Sequence, residues 1–309
     1  MICTPLRPLL GGPARFQTFS QFSSAVKPLL AIPSNERGPA PTLPRIARGL
    51  PKKNRLRGVD KVVAVSSAKG GVGKSTVAVN LALSLAMQQK RVGILDTDIF
   101  GPSIPKLLNL SGREPNVTES NRLIPLSNYG VKAMSMGFLL PNDESPVVWR
   151  GLMVMKALQQ LLHDVEWDGL DVLVLDLPPG TGDVQLTITQ QIVVDGAVIV
   201  STPQDIALID AVKGINMFKK VDVPVLGMVQ NMSVFVCPNC NHETHIFGSE
   251  GVQRVTDRLG TEVLGSIPLH PKICALSDAG TPVVVAEPDT ANARAYKDIA
   301  DKVLQKLYI

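Results

Sequence analysis

The sequence predicts an α/β fold in which a mostly parallel, doubly wound sheet carries helices on both faces. From Val59 onward, short apolar runs rich in β-branched residues alternate with segments of helical periodicity. No internal repeat or second break in composition divides this part of the chain. Of the 309 residues, 45 % are hydrophobic and 19 % are charged, as in globular proteins with a large core. We therefore expect a single domain over residues 58–309.

Strands and helices are predicted in alternation along this domain. Apolar spacing marks a first helix at Val77, Leu81 and Leu85, and residues 291–307 form a predicted closing helix. A second apolar stripe is formed by Ile206, Ile209, Val212, Ile215 and Met217. The predicted strands are Val62–Ser66, Val92–Leu95, Val131–Met136, Val172–Leu175, Ala197–Ser201, Val225–Val229 and Glu262–Ile267.

The first 57 residues have a different character. They contain ten Lys or Arg residues and one acidic residue, Glu36, and residues 28–57 are rich in proline. A basic, acid-poor start with scattered Ser, Thr and Phe is typical of an organellar transit peptide. We predict that residues 1–57 are a mitochondrial transit peptide and disordered leader for import into the matrix. A merely disordered basic tail is the alternative.

Composition excludes several classes of protein. The pI of about 8.9 derives from the leader, so it does not indicate a nucleic-acid partner. No apolar run reaches the length of a membrane-spanning helix, so no integral membrane segment is expected. Four cysteines in a chain of this length are too few for a disulfide scaffold.

A glycine-rich segment links the first predicted strand to the first predicted helix, the setting in which such loops cradle phosphates. Lys74 would place its charge on the β- and γ-phosphates, and the Ser75 hydroxyl is a candidate ligand for Mg²⁺. Ala68 stands where the strict motif has glycine, a mild departure. The predicted nucleotide-binding residues are Gly70, Gly71, Val72, Gly73, Lys74, Ser75 and Thr76.

An aspartate directly follows each of two further predicted strands. Asp176 is placed to hold Mg²⁺ through water, and it leads into a loop rich in Pro and Gly. Asp96 and Asp98 are candidates to orient the attacking water or to contact the metal shell. For any one of these residues, a helix cap is the alternative.

The base of the nucleotide is predicted from the segment after the strand Val225–Val229. GTPases of the wider group use Asn-Lys-x-Asp there, and this chain has Val234 in place of the final Asp. The amide of Asn231 has both a donor and an acceptor for an adenine edge. ATP is therefore favoured over GTP.

Two of the four cysteines, Cys237 and Cys240, form a Cys-x-x-Cys pair, whereas Cys274 is expected to be a small buried apolar residue. The pair has three interpretations: a zinc site that recruits His242 or His245, a redox or structural dithiol, or half of a 4Fe–4S site. The spacing of the histidines is short for closing one zinc tetrahedron. In the third, a symmetric dimer supplies the four thiolates that the cluster needs. Beside an ATPase motif, the cluster is favoured.

The chain resembles the Mrp/Nbp group of iron–sulfur carrier P-loop ATPases, in the deviant Walker A class that includes nitrogenase iron protein and MinD. The resemblance covers about residues 58–285. It rests on seven ordered motifs: Lys-Gly-Gly-Val-Gly-Lys-Ser-Thr at 69–76, then residues 96–103, 148–151, 176–183, 201–205, 230–233 and 237–240.

The resemblance implies a homodimer in which Lys69 reaches the ATP of the other subunit, with weak ATP hydrolysis. It also implies a labile 4Fe–4S cluster on Cys237 and Cys240 that is delivered to apo iron–sulfur proteins. With its leader, the chain is similar to the mitochondrial complex I assembly branch, the NUBPL/Ind type.

Two alternatives stay open. One is a MinD/ParA-like positioning ATPase, which typically carries a basic amphipathic tail, whereas the charges of residues 289–309 nearly balance. The other is an ATPase whose cysteines form a structural zinc clasp.

Overall fold

The computed structural model describes residues 53–139, 151–237, 239–240 and 242–308. At its centre lies an eight-stranded sheet with the order β10-β7-β6-β1-β5-β2-β4-β3. All neighbouring strands are parallel except β3 and β4, so the predicted sheet is confirmed. The strands of this sheet are β1 (Val59–Ser66), β2 (Val92–Asp96), β3 (Leu126–Asn128), β4 (Val131–Ser135), β5 (Leu170–Asp176), β6 (Gly196–Ser201), β7 (Val225–Gln230) and β10 (Val263–Ser266). A separate hairpin joins β8 (Phe235–Val236) and β9 (Glu243–Thr244).

Helices cover both faces of the sheet. Connections between parallel strands are right-handed. A helix that connects a strand to one nearer β3 therefore lies on one face, and a helix that connects a strand to one nearer β10 lies on the other. Accordingly α1, α2, α7, α8 and α9 contact one another, and α5 contacts α6. The helices are α1 (Lys74–Met87), α2 (Ile104–Leu107), α3 (Gly151–His163), α4 (Asp183–Gln191), α5 (Asp205–Lys220), α6 (Gly251–Leu259), α7 (Pro271–Asp278), α8 (Val283–Ala286) and α9 (Ala291–Leu307).

The central strands are buried on both faces, which explains their nearly continuous apolar sequences. Every residue of β2 and β6 is buried. Val77, Leu81 and Leu85 of α1 are buried as their spacing predicts. The closing helix α9 has the predicted bounds, and the Thr290 side chain accepts a hydrogen bond from the Ala293 N–H at its start.

The apolar stripe predicted on α5 is wrong at its first two positions. Ile206 and Ile209 are 54 % and 60 % exposed. The helix instead buries Leu208 and Ala211, and further along Ile215 and Phe218 also face the core. The buried face is thus rotated from the predicted one, because small alanines approach the sheet where the branched isoleucines were expected.

The folded domain also begins before residue 58. Asn54 pairs with Ile192 and exchanges backbone hydrogen bonds with Gln191 and Val193, at 2.9 and 3.0 Å. Leu56 is buried. Residues 53–57 therefore belong to the domain, whereas the rest of the predicted leader, with Cys3, lies outside the described residues, as do Trp149 and Arg150.

Among the described residues, none of the helices combines the length and apolar character required to span a bilayer.

Gly251 allows α6 to start against the loop that follows β6. A Cβ at this position would lie well inside contact distance of the Pro203 carbonyl oxygen and the Leu208 side chain. We expect Gly251→Ala to lower the free energy of unfolding by about 1–3 kcal/mol, the usual cost of overpacking. Urea denaturation of the full chain measures it. Gly101→Ala is the matched control, because a Cβ there meets nothing within 4 Å; equal midpoints for the two variants would contradict the packing argument.

Candidate functional site

The predicted site residues converge at the carboxyl edge of the sheet. In the strand register, Asp176 at the end of β5 lies beside Val65 of β1 and Asp96 of β2. The Thr97 N–H and hydroxyl both donate to the Asp176 carbonyl, at 3.0 and 2.8 Å. The glycine-rich loop follows β1 directly, so it meets both aspartates.

The loop turns into α1 through left-handed backbone conformations. Gly71 and Gly73 both have φ of 80°, which favours glycine. A Cβ at Gly73 would also collide with the Asn231 amide. The amide nitrogen of Asn231 donates to the Val72 carbonyl at 2.8 Å and so fastens the loop to the end of β7. The N-terminus of α1 faces the loop, and its unpaired backbone N–H groups favour an anion there.

Lys74, Ser75 and Asp176 form a buried polar group. The Lys74 ammonium forms an ion pair with Oδ1 of Asp176 and donates to Ser75 Oγ at 3.1 Å. Oδ2 of Asp176 is buried and has no hydrogen-bond partner among the described residues. Burial raises the pKa of the Asp176 carboxyl, an effect that Lys74 and Ser75 oppose.

Asp96 is engaged by the loop that follows it. Its carboxylate accepts hydrogen bonds from the backbone N–H groups of Asp98, Ser103 and Ile104 at 3.0–3.2 Å, and from the Ser135 hydroxyl at 3.1 Å. Burial, and after it the neighbouring Asp176 carboxylate, raises the pKa of Asp96 to about 7. Asp96 thus fixes the course of the loop, whereas Asp98 is half-buried and lines the cavity beside the glycines.

The buried carboxylates fit the predicted divalent cation. Besides burial, the Asp176 carboxylate raises the pKa of Asp96 and the Asp98 carboxylate raises that of Asp176, and one oxygen of Asp176 is unpaired within the described chain. A hard cation with oxygen ligands would satisfy that oxygen and lower the cost of burying both charges. The donors that would hold it are the Ser75 hydroxyl and the Asp176 carboxylate.

Two adjoining cavities open beside the loop. The first, of about 360 Å³, is lined by the glycines, Lys74, Ser75 and Asp98. The second, of about 220 Å³, is lined by Asn231 and by residues of the loop before α7. Both are lined by Gly73, Thr76, Leu107, Ser277 and Asp278. The larger cavity, lined by the glycine-rich loop, thus continues into a smaller one beside the Asn231 amide.

Cys237 and Cys240 lie on the β8–β9 hairpin. Cys240 is exposed and Cys237 is half-buried. Backbone N–H groups of Asn239 and Cys240 donate to the Cys237 sulfur and, with a smaller contribution from the Cys240 thiol, hold the pKa of Cys237 below its ordinary value. The sulfur is therefore disposed to act as a thiolate ligand.

The described residues contain no cluster of three or more His, Cys, Asp or Glu side chains able to hold a metal ion. His245 directs Nδ1 toward the Ser233 carbonyl oxygen, at 3.2 Å. Within the described part of one chain, the cysteine pair therefore provides two ligands rather than a closed tetrahedral site.

The strand, phosphate loop and helix, with aspartates at the ends of neighbouring parallel strands, define a P-loop NTPase with the MinD/ParA-like fold. Within that class, residues 58–304 match the ParA family described as NUBPL iron-transfer P-loop NTPase, and the chain belongs to this family. The predicted resemblance is confirmed.

Relatives of known name are similar over most of the chain. The mouse iron–sulfur cluster transfer protein NUBPL is 56 % identical over 264 residues, which cover 85 % of this chain and 82 % of the mouse protein. An Arabidopsis thaliana protein named as an iron–sulfur protein required for NADH dehydrogenase, mitochondrial, is 51 % identical over 262 residues, covering 84 % and 83 %.

Solved structures share the fold. A nucleotide-binding protein from Archaeoglobus fulgidus in complex with ADP has a TM-score of 0.66 and 39 % identity, covering 76 % of this chain and 91 % of its own. The cell-division ATPase MinD from Pyrococcus furiosus has a TM-score of 0.60 at 21 % identity, covering 79 % and 98 %. The second likeness concerns the fold alone.

Sequence reasoning missed part of the cavity wall. Cys274, expected to be buried, is exposed on α7 and lines the 220 Å³ cavity together with Tyr296 of α9. Ser277 and Asp278 line both cavities. These residues follow the motif-bearing strands by a long stretch of chain, and no spacing pattern links them to the phosphate loop.

Lys74→Ala tests the phosphate loop. We expect ADP affinity to fall about ten- to hundredfold, since a hydrogen bond to a charged group contributes about 1.5–3 kcal/mol. Equilibrium dialysis measures the affinity, and circular dichroism checks folding because the change leaves Asp176 buried without its cation. The matched control is Lys213→Ala, on the surface of α5 beside Asp210. If Lys74→Ala bound ADP as tightly as the wild-type chain, the assignment of this segment as the phosphate-binding loop would be wrong.

The Cys237 environment predicts a pH dependence. The thiolate is the reactive form, so a lowered pKa moves the midpoint of the alkylation rate below pH 9.0, the ordinary value. Asn239→Pro removes one donating N–H and is expected to move the midpoint upward, whereas Asn239→Ala keeps that N–H and is the control. The rate of iodoacetamide labelling, followed by peptide mass spectrometry from pH 6 to 10, gives the midpoints. Coincident midpoints for the two variants would contradict the role of the backbone donor.

Proposed function

We propose that this chain is an ATP-binding iron–sulfur cluster carrier that holds a 4Fe–4S cluster between two copies and delivers it to apo-proteins. The observation that carries the proposal is the short connection between the nucleotide loop and the cysteine hairpin. Asn231 contacts the loop through Val72, and Cys237 follows six residues later. The name of the mouse relative supports iron–sulfur cluster transfer as the role, and the Arabidopsis relative is named as an iron–sulfur protein.

Hydrogen bonds hold this connection against the cavity wall. The Ser233 N–H and hydroxyl both donate to the Ile267 carbonyl, at 2.9 and 3.0 Å. The Leu269 N–H donates to the Val234 carbonyl at 2.8 Å. Because Leu269 lines the 220 Å³ cavity, a nucleotide that moves this wall also moves the base of the hairpin.

Nucleotide binding would use the groups gathered at the sheet edge. Lys74 exchanges its contacts with Asp176 and Ser75 for phosphate oxygens, and the N–H groups from Gly70 to Thr76 surround the same anion. Ser75 and Asp176 would hold Mg²⁺, which would supply positive charge beside the phosphates when bound. Asp98 is the better-placed group to orient the attacking water, since hydrogen bonds already engage both oxygens of Asp96. Asn231 keeps its bond to Val72 and offers the rest of its amide to the base.

The second copy supplies what one chain lacks. Two thiolates per chain require a partner to complete the four that a 4Fe–4S cluster takes. The Lys69 side chain is exposed at the rim of the phosphate loop, free to reach a partner's nucleotide. ATP binding would thus close the dimer and bring the two hairpins together, and slow hydrolysis would reopen it.

The recipients are proposed to be apo-proteins of respiratory complex I in the mitochondrial matrix. The Arabidopsis relative is named for NADH dehydrogenase and for mitochondria. The basic composition of residues 1–57 supports the same compartment, with the cleavage point at or before residue 52 because residues 53–57 pack on the domain.

Anaerobic reconstitution tests the proposal. The full chain is incubated with iron and sulfide, and iron, acid-labile sulfide and zinc are measured per dimer. We expect about four irons and about four sulfides. Cys237→Ser is expected to lose them, because a serine hydroxyl is a poor ligand for this soft cluster. The matched control, Cys3→Ser, changes a cysteine of the leader and retains the cluster.

One zinc per dimer without sulfide would replace the carrier with the zinc-clasp alternative. An unmetallated protein that binds ATP normally would leave a nucleotide switch whose cysteines have a structural role.

A further inference from the structure

The thiol of Cys274 lies where the nucleotide base is proposed to bind. It is exposed on α7 and lines the 220 Å³ cavity whose wall includes Gly73 and Thr76 of the phosphate loop. A group attached to its sulfur would enter the space that continues from the phosphate cavity.

A second residue independently marks this cavity as a ligand site. Tyr296 of α9 is only 1 % exposed and lines the same cavity. Its hydroxyl has no hydrogen-bond partner among the described residues. Buried polar groups in native proteins are normally paired, so this hydroxyl indicates a ligand with a polar edge. Burial raises the pKa of Tyr296, which keeps the hydroxyl protonated and able to donate.

We propose that Cys274 is a modification site at which a small thiol adduct and a nucleotide exclude each other. The inference rests on the nucleotide binding proposed above. In the reaction, the Cys274 thiolate attacks one sulfur of a small-molecule disulfide. A new S–S bond forms to Cys274, the old S–S bond breaks, the other half leaves as a thiolate, and the Cys274 proton passes to solvent.

The surroundings of the sulfur explain why the two ligands compete. The Cys274 thiol donates to Oδ2 of Asp278 at an S···O distance of 3.7 Å. Asp278 and its neighbour Ser277 line both cavities, so the adduct would lie at the junction between the base and the phosphates. A base and an adduct on Cys274 would have to occupy the same cavity of about 220 Å³, so they compete for one space. Modification would therefore switch off nucleotide binding while every residue of the phosphate loop stays chemically unchanged.

The first test is protection by ligand. The full chain is labelled with limiting N-ethylmaleimide, and the rate at each cysteine is followed by peptide mass spectrometry. With ADP at about 100 times its Kd, about 1 % of the sites are empty, so labelling of Cys274 slows about a hundredfold. Labelling of Cys3 serves as the internal control. Lys74→Ala, labelled at the same ADP concentration, is expected to lose most of the protection.

The reverse test measures ADP binding after treatment with glutathione disulfide. We expect the ADP affinity of the wild-type chain to fall at least about tenfold and to return after reduction with dithiothreitol. Cys274→Ser is compared with its own untreated value and is expected to show no change on treatment. This comparison separates Cys274 from the hairpin cysteines, which react in both proteins.

The outcomes separate this inference from the proposal beneath it. ADP that binds the untreated chain but leaves Cys274 labelling unchanged would overturn the inference alone. An untreated chain that binds no ADP would overturn nucleotide binding and the inference with it.

Discussion

The buried ion pair between Lys74 and Asp176 is the interaction on which the site depends. Each charge costs several kcal/mol to remove from water. The pairing of β1 with β5 places the loop after β1 beside Asp176, and the Lys74 ammonium at the start of α1 compensates the buried carboxylate. One oxygen of Asp176 is unpaired within the described residues, and burial still raises the pKa of its carboxyl. The Asp176 carboxylate thus has only part of its hydrogen-bonding capacity satisfied by the described residues. A metal would supply a partner for this oxygen, so part of its binding energy would come from pairing a buried group that the described chain leaves unpaired.

Much of the fold follows from local sequence. Parallel strands buried on both faces need continuous apolar runs, so all seven predicted strands are present. The edge strand β3 has only three residues, two of them polar, and so carries too little pattern to be predicted. The predicted stripe on α5 is wrong at Ile206 and Ile209 because the spacing of apolar residues does not show which of them can approach the sheet. A helix approaches a sheet more closely through alanine than through isoleucine side chains. Packing against the opposing strands therefore determines which face of α5 is buried.

The site divides in the same way. The phosphate loop and its aspartates could be predicted because the backbone demands of an anion site fix glycine, lysine and aspartate at set intervals. The wall of the second cavity is assembled from α7 and α9, which are distant in sequence, and its side chains obey no common spacing. Cys274 illustrates the limit: its neighbours Ile273 and Leu276 are apolar, yet only the placement of α7 decides that the thiol is exposed.

The segment from Asn231 to Cys237 has a consequence for how such proteins can diversify. One end is tied to the phosphate loop and its middle to Ile267 and Leu269, so the length of chain between the two sites is fixed by hydrogen bonds. An insertion within this segment would leave the phosphate loop and the cysteine hairpin intact. It would nevertheless prevent movement of one from being transmitted to the other. The exposed Ile206 and Ile209 of α5 take no part in these hydrogen bonds. Sequence differences between such proteins are therefore expected on that exposed surface, whereas the number of residues between Asn231 and Cys237 is expected to stay constant.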